Sequence, residues 1–141
     1  RFGALAGQAK FYPEAMVVRD RSNYAIGPHT DAPHRLATML FYCPRDGGRE
    51  HLGTSLFVPR ERGFTSAGGP HYDFDKFVNV ATLPYRPNSL FCFLNTNAGF
   101  HGVETIVDEN VIRDMLLYVL RIDSPKVPYV GVGAYDIATA G

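Results

Sequence analysis

Glycine and proline punctuate this chain so evenly that a helix of any length has little room to form. Fourteen glycines and ten prolines are spread along its 141 residues rather than clustered. They leave short segments rich in Val, Leu, Phe and Tyr, residues that suit a pleated, half-buried surface. Eight strands are expected, near Ala15–Arg19, Tyr24–Asp31, Leu36–Cys43, Thr54–Val58, Phe77–Leu83, Ser89–Leu94, His101–Ile106 and Ile112–Ile122. Turn-forming runs fall between them, among them Pro44-Arg45-Asp46-Gly47-Gly48 and Asp108-Glu109-Asn110. The run Met115-Leu116-Leu117-Tyr118-Val119-Leu120 has no polar face, which favours a buried strand over an amphipathic helix. Short strands at close spacing predict a mainly β domain, an antiparallel sandwich or barrel.

Hydrophobic residues at 45% and charged residues at 20% allow one well-buried core, so residues 1–141 read as a single domain. Fourteen basic and fourteen acidic side chains cancel, which disfavours nucleic-acid binding driven by bulk charge. No apolar run reaches the roughly 18 residues that span a bilayer, so no membrane segment is expected. Cys43 and Cys92 lie in apolar runs and read as buried thiols of a cytoplasmic protein rather than as a disulfide. The start at Arg1-Phe2-Gly3, without Met or a signal-peptide pattern, reads as an N-terminal truncation of a longer chain, and residues 125–141 as a C-terminal extension. The segment Pro59–Asp75 exceeds what a hairpin needs and is expected to be either a functional loop or a surface ornament.

Chemistry concentrates around two stretches. His29 and Asp31 stand two apart at the end of an expected strand, a spacing that puts both on one face while Thr30 points away. One imidazole and one carboxylate suit Fe(II), Mn(II) or Zn(II). His101, in Gly99-Phe100-His101-Gly102, is the natural third ligand if two strands converge, and a satisfied core histidine if they do not. Arg113 enters the most apolar strand, where a guanidinium requires an anionic partner. That partner is either a bound carboxylate or an internal acid such as Asp114, Glu104 or Asp108. Tyr24 offers a hydroxyl near the same strand, although a packing role accounts for it equally well. His34 is out of phase with the 29/31 face and reads as a pocket-edge group, with His51 and His71 facing solvent.

The ordered set His29-x-Asp31, His101, Arg113 resembles the 2-oxoglutarate- and Fe(II)-dependent dioxygenases, in particular their prolyl-hydroxylase-like branch. Leu52-Gly53-Thr54-Ser55-Leu56-Phe57-Val58-Pro59 and Leu83-Pro84-Tyr85-Arg86-Pro87-Asn88-Ser89-Leu90-Phe91-Cys92-Phe93 fall in the family's order between them, and the likeness runs over roughly residues 15–122. It implies a double-stranded β-helix, or jelly roll, with catalytic iron held by His29, Asp31 and His101. It also implies 2-oxoglutarate as co-substrate, with Arg113 on its distal carboxylate and Tyr24 assisting, and O2 as oxidant. Arg121 is the rival anchor. The implied reaction releases succinate and CO2 and hydroxylates a small molecule, peptide or sugar. Asp31 argues against the halogenating relatives, which lack that carboxylate. A cupin-type metalloenzyme without 2-oxoglutarate and a non-catalytic jelly-roll binding module are the competing expectations. The rim residues Arg35, Tyr72 and Asn95 are where substrate contacts are expected.

Overall fold

A computed structural model describes residues 10–123; the extension expected at 125–141 lies outside the described residues. Eight strands form: β1 (Lys10–Arg21), β2 (Ile26–His29), β3 (Arg35–Tyr42), β4 (Ser55–Pro59), β5 (Phe77–Thr82), β6 (Ser89–Leu94), β7 (His101–Val103) and β8 (Ile112–Asp123). They make two antiparallel sheets of four strands, ordered β1-β8-β3-β6 and β2-β7-β4-β5, stacked as a β-sandwich. Apart from the β4–β5 hairpin, every step along the chain crosses from one sheet to the other. Residues distant in sequence therefore face one another across the interior. Among the described residues no helix is long and apolar enough to cross a membrane.

The eight expected segments all contain strands, β6 with the expected bounds and the others with shifted ones. β1 begins five residues earlier than the sequence suggests, because Pro13 and Glu14 are tolerated on an edge strand, where one side of the backbone needs no ladder partner. β8 lies between β1 and β3, which explains its lack of a polar face. Its inward residues Arg113, Met115 and Val119 are buried. β2 stops at His29, so Asp31 sits in the link to β3 rather than on the strand.

The interior divides into two clusters. One gathers Tyr42, Leu52, Tyr85, Val103, Ile106, Val111 and Met115. The other is aromatic, with Phe57, Phe77 and Phe100 buried and Phe64, Tyr72 and Phe74 packed against them. Three of those rings belong to Pro59–Asp75, the segment expected to be a functional loop or a surface ornament, so its aromatic side chains tie it to the sandwich. Both cysteines are free and exposed, contrary to the expectation of buried thiols. Cys92 alternates with Leu90 and Leu94 on the outward side of β6, and the pleat, not the apolar neighbourhood in sequence, decides its exposure.

Candidate metal centre and its cavity

Antiparallel pairing of β2 with β7 sets His29 directly opposite His101. Side chains so paired project from the same face with their Cβ atoms about 5 Å apart, and the two ring centroids lie 4.5 Å apart. The close approach of these strands depends on Gly102, where a Cβ would stand 2.5 Å from the Ile26 carbonyl oxygen. Asp31 reaches the same point from the link after β2. One ligand atom from each of His29, Asp31 and His101 lies within 4.8 Å of the others, an arrangement that could hold a metal ion. Donors on one ion at about 2.1 Å are separated by roughly 3–4 Å, so small side-chain adjustments close the set.

Each imidazole is oriented by the carbonyl two residues before it. His29 Nδ1 is 3.0 Å from the Gly27 oxygen, and His101 Nδ1 is 3.0 Å from the Gly99 oxygen. A carbonyl only accepts, so each ring donates from Nδ1 and keeps the Nε2 lone pair for an ion. Burial, reinforced by neighbouring His101, pushes the His29 imidazole down to about 4. Burial also lowers His101, against the opposing pull of Asp31. Both rings are therefore neutral near pH 7, the form that binds metals. The Asp31 carboxylate accepts from the Thr38 hydroxyl at 2.6 Å and meets Arg35 at 3.4 Å.

A cavity of about 160 Å³ joins this centre to the inward face of β8, lined by His29, Asp31 and His101 at one end and by Arg113 and Tyr24 among the rest. Arg113 is 1% exposed, and its ion-pair partner is Asp20 of β1, not Asp114, Glu104 or Asp108. Its Nε donates to the Leu52 carbonyl at 2.5 Å, and the rings of Tyr42 and Tyr85 flank the guanidinium. Nη2 remains buried without a hydrogen-bond partner. The guanidinium is thus largely committed to Asp20 and the Leu52 carbonyl, with Nη2 the nitrogen that no hydrogen bond engages. Tyr24 keeps its phenolic proton, since burial and the nearby Asp20 charge both raise it. Arg121 is not among the cavity's lining residues; it pairs with Glu14 at 2.8 Å and lies over Tyr12.

Other histidines divide as follows. His51 is exposed and 2.6 Å from Asp108, and half-buried His34 lies outside the cavity lining. His71 is exposed, as expected, yet its ring centroid is 4.6 Å from that of His29. The next residue explains this: Tyr72 N donates to the Pro28 carbonyl at 2.9 Å, and its ring packs in the aromatic cluster. No sequence signal pointed to His71, because the contact arises from loop folding. Of the supposed rim residues, Arg35 lines the cavity, Tyr72 packs inward, and Asn95 is buried, bonding the Asp31 and Ala32 carbonyls. No family model matches this chain, and no curated protein matches it.

Proposed function

We propose that this protein is an Fe(II)- and 2-oxoglutarate-dependent oxygenase on a jelly-roll scaffold, hydroxylating a small-molecule, peptide or sugar substrate. One observation carries the reading: three metal-type donors and an arginine with an orphaned, buried nitrogen line the same cavity. The alternating path of eight strands between two sheets supports the jelly-roll scaffold. Charge supports the co-substrate. The cavity's charged side chains are Asp20, Asp31, Arg35 and Arg113, a balanced set. A divalent ion leaves the lining doubly positive, and a dicarboxylate restores neutrality in a site where unbalanced charge is costly.

His29, Asp31 and His101 would hold the iron, which when bound supplies the redox chemistry that couples O2 and 2-oxoglutarate to substrate oxidation. Arg113 Nη2 would donate to the distal carboxylate, and Tyr24 lines the same cavity. The apolar walls from Val18, Leu40, Phe93 and Met115 exclude water around that ion pair and strengthen it.

The test is succinate release that requires both Fe(II) and 2-oxoglutarate. Arg113→Lys preserves the charge beside Asp20 but removes Nη2, and it should raise the 2-oxoglutarate requirement at least about tenfold. Arg121→Gln should leave it unchanged. Equal effects from the two variants would refute the anchor. The third imidazole beside His29 favours a second reading, a cupin-type centre with more histidines and no 2-oxoglutarate. Adding 2-oxoglutarate to the anaerobic Fe(II) protein separates them, since only the oxygenase should develop a visible charge-transfer band.

A further inference from the structure

We propose that Thr38 is a positioning residue for Asp31, its hydroxyl holding the carboxylate at the rotation that lets it share an ion with His29 and His101. The inference rests on the metal-centre reading above. Thr38 projects inward from β3, where its register partners are Phe93 of β6 and Val119 of β8. It is 3% exposed. A hydroxyl at such a position is unfavourable unless it is hydrogen bonded, and Thr38 Oγ1 donates to Asp31 Oδ2 at 2.6 Å.

Other contacts to Asp31 act differently. Asn95 Nδ2 donates at 2.9 Å to the carbonyls of both Asp31 and Ala32, which fixes the backbone of the link after β2 but leaves the carboxylate rotation open. Arg35 meets Oδ1 at 3.4 Å from a side chain that is 29% exposed, a long and partly solvated contact. Thr38 supplies a short buried bond to the carboxylate itself. With Oδ2 engaged by that hydroxyl, Asp31 would meet an ion with its carboxylate rotation fixed. This ligand, unlike the two histidines, lies outside any strand ladder. It therefore has the most to lose from a missing support.

The experiment is a titration with Co(II) alone, read from its visible absorption bands, on wild type, Thr38→Val, Thr38→Ser and His101→Ala. The wild type should bind one ion, His101→Ala should not, and Thr38→Val should bind about 10–100-fold more weakly with altered band intensities. Thr38→Ser restores the hydroxyl and should fall within about threefold of wild type. Circular dichroism establishes that each variant is folded, and if Thr38→Val is not, the serine variant carries the test. Wild-type affinity in Thr38→Val, or a serine variant with affinity lost, would overturn the positioning role. A wild type that binds Co(II) no better than His101→Ala would overturn the metal reading itself.

Discussion

Replacing Arg113 with methionine should destabilise the protein in a strongly pH-dependent manner. Asp20 is 4% exposed and Arg113 1%, so the methionine fills much of the vacated volume while Asp20 loses its counter-charge. Even in the wild type, burial raises the Asp20 carboxyl despite the opposing pull of Arg113. Without Arg113 the carboxyl should be protonated in the folded state. Holding an acid of ordinary pKa near 3.9 neutral costs about 4 kcal/mol at pH 7 and about 1.5 kcal/mol at pH 5. The sign follows from proton counting. The folded variant binds a proton that the unfolded chain has released, so its deficit grows as pH rises above the unfolded pKa and shrinks as pH falls toward it. Urea denaturation of wild type and Arg113→Met at the two pH values should give deficits that differ by roughly 2–3 kcal/mol. The shared histidines cancel in that difference. Adding Asp20→Asn should remove most of the pH dependence and recover part of the stability. A deficit identical at pH 5 and pH 7 would refute the claim that Asp20 is left as a buried acid.

Three further outcomes follow from the same geometry. With its imidazole lowered to about 4, His29 contributes stability that is full above its unfolded pKa near 6.5 and lost as pH falls toward 4. The metal-free protein should lose about 2 kcal/mol from this group between pH 7.5 and pH 5, and His29→Phe should flatten the profile of urea midpoints. Gly102→Ala should force β2 and β7 apart at the Ile26 carbonyl, costing about 1–3 kcal/mol and weakening Co(II) binding, both measurable on one sample. Phe100→Ala, at a 2% exposed position where the rings of Phe64, Tyr72 and Phe77 converge, should cost about 3–5 kcal/mol. It should also speed amide exchange in residues 60–76, whose rings pack there; unchanged exchange would show that the loop is held by other means.

Strand content was legible in the chain because turn residues recur at strand-length intervals and the segments between them are β-branched or aromatic. The three donors were legible because two stand at a spacing of two and the third is flanked by glycines, Gly102 being the one that lets β2 and β7 close on each other. Local pattern misled wherever the face of a strand mattered. Cys92 sits in an apolar run yet points outward, and Asn95 was read as rim but is buried beneath Asp31. Arg113 required an acid, as its burial cost dictates, but the sequence suggested near neighbours and the sheet supplied Asp20 from 93 positions away.

What this chain carries in its own letters is therefore a list of parts: eight strand segments, two imidazoles, a carboxylate and a cation too costly to bury alone. Tertiary structure decided their partners. Sheet pairing put His29 opposite His101 and Asp20 opposite Arg113, the crossing between sheets brought Thr38 to Asp31, and loop packing brought His71 beside His29. The physical reason is that strand periodicity is local and readable along the chain. Which strands become neighbours is settled by competition among long-range pairings for one shared core.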